Sequence, residues 1–199
     1  MGVNINLVIA GVGGQGTLLA SRVLGQVALD MDYDVKVSEI HGMSQRGGSV
    51  VTYVRYSENG VDSPIIDEGG ADAVLAFELL EGYRTLPYLK KGGKIIINTM
   101  QINPMPVITG AEVYPENIVE KIKTAAPDAE VITFDAAAAA NQAGNSKAVN
   151  VALLGVFAKI SGIGKEVWLE ALKETVPPKF LEANLKAFML GFGELYNED

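Results

Sequence analysis

The chain has no cysteine, one histidine and one tryptophan among its 199 residues. Without cysteine there are no disulfides, no thiolate zinc or iron–sulfur ligands and no thiol nucleophile. A single histidine excludes any two-histidine metal site, and no metal ligands are assigned. Basic residues are also scarce. Sixteen Lys and Arg face twenty-four Asp and Glu, a formal charge of −8. That balance repels nucleic acid and anionic membranes, so neither is expected as a partner. Long hydrophobic runs are missing too. The most apolar stretch, Val149 to Ile160, is interrupted by Asn150 and Lys159 and is too short to span a bilayer. The opening Met1-Gly2-Val3-Asn4 places no basic segment before apolar residues 7–13, so no secretory leader is expected and the protein is expected in the cytoplasm. What remains is a globular composition, 48% hydrophobic and 20% charged, sufficient for one domain with a proper core.

The order of elements predicts an α/β fold. Asn6–Ala10 is a short apolar run, the pattern of a strand buried on both faces. Four glycines follow, at 11, 13, 14 and 16, then a helical stretch over Gly16–Asp30 and a second strand over Asp34–Val37. Ser49–Tyr56 is rich in β-branched and aromatic residues, and no helix precedes it, so it is expected to pair antiparallel. Ala73–Phe77, Lys94–Asn98 and Val131–Phe134 read as further strands. A helix is expected over Leu79–Leu89 and another opened by Pro115-Glu116-Asn117 and running to Ala126, with a loop over 102–114 between them. The last third reads as helices over Ala136–Gln142, Lys147–Ile160, Lys165–Thr175 and Phe180–Tyr196. The expected architecture is a three-layer α/β/α Rossmann-like domain over residues 1–199, with a mixed, mainly parallel sheet and a helical C-terminal third.

Three segments are candidates for function. Gly11-Val12-Gly13-Gly14-Gln15-Gly16 matches G-x-G-x-x-G between a strand and a helix. Small residues permit the tight turn there, and free amides at the helix N-terminus face an anion. Glu39 stands near where a ribose-binding acid would be, but the irregular strand pattern argues against a plain dinucleotide site. The same glycines would also serve simply to pack strand against helix. The second segment, Ile40 to Gly48, gathers His41, Gln45, Arg46 and three glycines with little to bury. Arg46 offers a planar fork to a carboxylate or phosphate, and His41 a hydrogen-bond or proton donor. A solvated loop is the plain alternative. The third, Gly144 to Asn150, opens an apolar helix. Asn145 or Ser146 would cap it, and Asn150 needs a buried partner. A helix so apolar is expected to be central or part of a subunit interface. Glu78 ends a strand and is expected to be solvated unless catalytic. Asp67-Glu68 reads as a surface pair, and Trp168 as core.

The residues leave two readings open, a free-standing NAD(P)- or nucleotide-binding Rossmann-like protein and a pure scaffold. After residue 100 the chain offers mainly apolar helices rather than a second catalytic constellation.

Four stretches in order carry a resemblance: Gly11–Gly16, Glu39–Val50 with its His-Gly-Met-Ser-Gln-Arg-Gly-Gly block, Ala73–Glu78 and Gly144–Asn150. Through them the chain resembles the small (beta or gamma) subunits of 2-oxoacid:ferredoxin oxidoreductases, most of all those of the indolepyruvate enzymes. The resemblance implies a non-autonomous enzyme subunit with one gamma-type catalytic domain. The complex decarboxylates a 2-oxoacid oxidatively to an acyl-CoA and passes electrons to ferredoxin. It implies no cofactor bound by this chain alone. Thiamine diphosphate, Mg and iron–sulfur clusters are expected on a large alpha subunit, and coenzyme A is the co-substrate. The residues it implies for cofactor binding in a shared cleft are Gly11, Gly13, Gly14, Gln15, Gly16, Gln45, Arg46 and Asn145. His41 and Arg46 are the catalytic candidates.

Overall fold

The computed structural model describes residues 4–42 and 47–193. Six strands form one sheet in the order β2-β3-β1-β4-β5-β6. They are β1 (Ile5–Val12), β2 (Asp34–His41), β3 (Ser49–Ser57), β4 (Ala71–Ala76), β5 (Leu89–Asn98) and β6 (Glu130–Phe134). The β1, β4, β5 and β6 strands are parallel neighbours, and β3 pairs antiparallel with both β1 and β2. Only β3 therefore runs against the rest, and the mixed, mainly parallel sheet is as expected.

Side chains alternate between two cores, as the period-2 pleat requires. Leu7, Ile9, Leu75, Phe77 and Ile96 face one side, while Val8, Val74, Ile95 and Ile97 face the other. The first face is covered by α1 (Thr17–Asp30), α5 (Ala136–Gln142), α6 (Val149–Ser161), α7 (Lys165–Thr175) and α8 (Pro178–Phe192). The second is covered by α2 (Leu79–Arg84) and α4 (Ile118–Ala125). This is the three-layer arrangement, and the C-terminal helices share a core with the sheet. Trp168 lies in that core, edge-on to Phe157 and stacked on Phe188.

Several expectations change. The helix after β4 stops at Arg84, a single 3-10 turn with Pro87 follows, and β5 starts at Leu89. Gly92 and Gly93 thus lie inside β5, where the pairing with β4 shifts register and Gly92 takes φ +71°. The loop over 102–114 contains a short helix, α3 (Met105–Ile108). The α8 helix begins at Pro178, whose missing amide hydrogen is harmless in a first turn. It ends at Phe192 with Gly193 as a left-handed C-cap, and the rest of its expected extension to Tyr196 lies outside the described residues. Neither Asn145 nor Ser146 caps α6, which starts after Ala148 without a side-chain cap. Of the two roles expected for α6, central and interface, the central one holds. Every residue from Asn150 to Ala158 is buried within this chain.

Candidate functional site

In an open α/β sheet, ligands meet the carboxyl ends of the strands where successive connections leave in opposite directions. Here that point lies between β1 and β4. The helix after β1 covers one face, and the helix after β4 covers the other. The glycine turn occupies it. Gly16 is the N-cap of α1 at φ 82°, and no side chain caps the helix, which leaves the Thr17 and Leu18 amides without a side-chain cap. The Gly13 amide donates to Gly48 O at 3.0 Å, which ties the turn to the start of β3.

Gln15 bridges the crevice itself. Its Oε1 accepts from Val12 N at 2.7 Å, and its Nε2 donates to Phe77 O at 3.0 Å. A Cβ on Gly11 would stand 3.0 Å from Gln15 Oε1, so glycine at 11 makes room for this side chain. The lacing continues along the strand ends. Asn98 Nδ2 also donates to Phe77 O, and Asn98 Oδ1 accepts from Ala136 N.

A second anchor reaches the turn from the C-terminal third. Asn150 is buried, and its Nδ2 donates to Gly16 O at 3.0 Å across 134 residues of sequence. The partner that Asn150 needs is therefore the glycine turn. Asn145, by contrast, bonds within its own turn, accepting from Lys147 N and donating its amide to Ala140 O.

Glu39 does not stand where a ribose-binding acid would. With β3 inserted between β1 and β2, the end of β2 is two strand spacings, about 10 Å, from β1. Its carboxylate instead accepts from Thr17 on α1 and Thr52 on β3, and pairs with His41 Nε2 at 2.8 Å. His41 thus sits at the end of β2, linked through Glu39 to the first turn of α1. Gln45 and Arg46 lie outside the described residues.

Glu78 is the site feature the sequence misjudged. It is buried rather than solvated. Oε2 caps α2 by accepting from Glu81 N, and Oε1 accepts from Ile102 N and from the Tyr114 hydroxyl. Burial, and then the bond to Glu78, push the Tyr114 hydroxyl well above its ordinary pKa, so it stays a donor. Glu78 thereby fastens the segment after β5 against the strand ends. Nearby, buried Glu81 accepts from Ser49 Oγ and pairs with Arg84. Asp67 and Glu68 are exposed, as expected.

Leu18, Ile40, Met105, Ile108 and Val113 are all exposed, and all belong to segments at this C-terminal edge. Among the described residues no group of three or more His, Asp or Glu is placed to hold a metal, and no helix is long and apolar enough to cross a membrane.

The family described as pyruvate ferredoxin/flavodoxin oxidoreductase matches residues 6–194, nearly the whole chain. The chain belongs to that family. It is an oxidoreductase subunit of the 2-oxoacid:ferredoxin class, which displaces the free-standing nucleotide-binding reading. An indolepyruvate oxidoreductase subunit, IorB, of Thermococcus kodakarensis is 42% identical over 189 residues, covering 94% of this chain and 93% of the relative. A 2-oxoglutarate synthase subunit, KorC, of Methanothermobacter thermautotrophicus is 30% identical over 190 residues, covering 92% and 90%. The fold matches the keto/oxoacid ferredoxin oxidoreductase gamma subunit of Geobacter sulfurreducens with a TM-score of 0.70 at 24% identity, covering 95% of this chain and 96% of that one. Within the family, the glycine turn belongs to a subunit of a larger enzyme.

Proposed function

We propose that this chain is the small subunit of an indolepyruvate:ferredoxin oxidoreductase and that it forms one wall of a cleft shared with a large subunit. The observation that carries the substrate class is the 42% identity to the indolepyruvate subunit, against 30% to the 2-oxoglutarate one. The cleft wall is the C-terminal edge of the sheet, from the glycine turn to His41. Its support is physical. Amides of α1 without a side-chain cap, the Gln15 bridge and exposed Leu18 and Ile40 lie along that stretch, and exposed Met105, Ile108 and Val113 follow β5 on the same edge of the sheet.

The large subunit carries thiamine diphosphate, Mg and the iron–sulfur clusters. This chain has no cysteine to ligate a cluster. Thiamine diphosphate supplies the carbanion chemistry that decarboxylation of a 2-oxoacid needs, and coenzyme A accepts the acyl group. The residues of this chain bind and orient. The first-turn amides of α1 and the Gln45–Arg46 segment meet anionic groups of substrate or coenzyme A. Gln15, Asn98 and Asn150 hold the strand ends and the turn in place. The chain folds as one gamma-type catalytic domain over residues 1–199, acts in the cytoplasm and reaches ferredoxin through the complex.

Co-expression with the large subunit, followed by ferredoxin reduction assays with coenzyme A, tests this reading. Indolepyruvate or phenylpyruvate is expected to exceed pyruvate and 2-oxoglutarate in kcat/KM by about a hundredfold, as a pocket built for an aryl group would require. Preference for pyruvate or 2-oxoglutarate, or equal turnover without this chain, would contradict it.

A further inference from the structure

The chain's one histidine is held in a way that decides what it can offer. Glu39 Oε2 accepts from Thr17 Oγ1 at 3.0 Å and from Thr52 Oγ1 at 2.9 Å, while Oε1 lies 2.8 Å from His41 Nε2. Thr52 is fully buried on β3, and Thr17 is buried on the first turn of α1. These two hydroxyls fix the carboxylate from behind. An ionised carboxylate only accepts, so the hydrogen in the contact with His41 sits on the imidazole Nε2. In a neutral ring the other nitrogen is then an acceptor. The His41 side chain is 56% exposed, so the ring is accessible at the end of β2.

We propose that Glu39 is a positioning residue that fixes His41 as the Nε2–H tautomer, so that Nδ1 accepts a hydrogen bond from a thiol or amide donor of coenzyme A. The inference rests on the C-terminal edge being the cleft wall. It adds which nitrogen faces the acyl acceptor and what sets it. The arrangement also couples the ring to the glycine turn, because the same carboxylate holds Thr17 immediately after Gly16.

Glu39→Gln separates these elements with little change of shape. The amide oxygen still accepts from both threonines, and the amide nitrogen then donates toward His41. The opposite amide orientation deprives two buried hydroxyl hydrogens of their acceptor. His41 Nε2 must therefore become the acceptor, and Nδ1 must carry the hydrogen. A single histidine gives a single imidazole spin system, so ¹⁵N-histidine labelling of the full chain, alone and assembled with the large subunit, reads the tautomer without assignment. With the ring neutral, the unmodified chain is expected to show Nε2–H and Glu39→Gln to show Nδ1–H. In the assembled enzyme the variant is expected to raise KM for coenzyme A about ten- to hundredfold, with KM for the 2-oxoacid unchanged. Adding His41→Ala to Glu39→Gln is expected to cost nothing more.

An unchanged tautomer overturns the proposal. So does a switched tautomer with KM for coenzyme A unmoved while His41→Ala raises it, a result that leaves the cleft reading standing. A loss shared equally by both substrates also overturns it, since that marks a structural role. If His41→Ala itself leaves KM for coenzyme A unchanged, it is the cleft reading at this edge that has failed.

Discussion

Gly155→Ala and Gly191→Ala are each expected to destabilise the protein by about 4 kcal/mol or more, enough to unfold much of the C-terminal third. The two glycines face each other's helix where α6 crosses α8. A Cβ on Gly155 would stand 2.1 Å from Phe188 O, and one on Gly191 would stand 1.9 Å from Ala152 O. Both obstacles are backbone atoms, which cannot rotate away. The helices would have to separate by more than an ångström, and the packing around Trp168, Phe157 and Phe188 would open with them. Gly25→Ala is the control. It too lies inside a helix, but nothing stands within 4 Å of its Cβ position, so alanine is expected to be neutral or to stabilise by up to about 1 kcal/mol. Urea denaturation of the three variants checks the set. Equal effects at 25, 155 and 191 would show that the close crossing is not what demands glycine.

Gly16→Ala is expected to cost about 3 kcal/mol and to abolish turnover of the assembled enzyme. Two causes act together. Gly16 sits at φ 82°, where a side chain is strained by about 1–2 kcal/mol. A Cβ there would also stand 2.5 Å from Asn150 Nδ2, the atom that donates to Gly16 O. Asn150 cannot swing aside freely, because it is buried and its Oδ1 accepts from Val151 N. The causes are separable by a double-mutant cycle. In an Asn150→Ala background, Gly16→Ala should cost only the backbone strain, leaving a coupling energy of about 1–2 kcal/mol. Additive losses would contradict the tether between the turn and α6.

The local parts of this fold were written in local sequence. The apolar run before the glycines gave β1, and the spacing of Leu181, Leu185 and Phe188 gave α8. The antiparallel pairing of β3 followed from the absence of a helix before it. Its insertion between β1 and β2 did not, because strand order is a contest among distant pairings that no short segment records. That one insertion moved Glu39 away from the ribose-binding position and onto Thr52 and His41. Glu78 was misjudged for a related reason. Its partners Ile102 and Tyr114 lie 24 and 36 residues downstream, in a segment whose short helix and return toward β4 had no periodic signal. Asn150 shows the intermediate case. An amide among apolar neighbours announced that a partner was needed, but only the folded chain could supply Gly16.

The apolar helix over Val149–Ile160, offered as central or as a subunit interface, is central. Continuous hydrophobicity marks burial, and α6 spends all of it on its own core. The exposed apolar residues that remain at the strand ends are few and scattered in sequence, at 18, 40, 105, 108 and 113.

Whether that edge faces the large subunit is tested most directly by photocrosslinking in the assembled complex. A photoreactive phenylalanine analogue would replace Leu18 or Ile40 at the C-terminal edge, and Lys91 at the opposite edge, where its side chain is 88% exposed. Crosslinks to the large subunit are predicted from positions 18 and 40 and not from 91. Crosslinks from 91 alone would place the shared cleft at the other end of the sheet and contradict the assignment of the glycine turn to its wall.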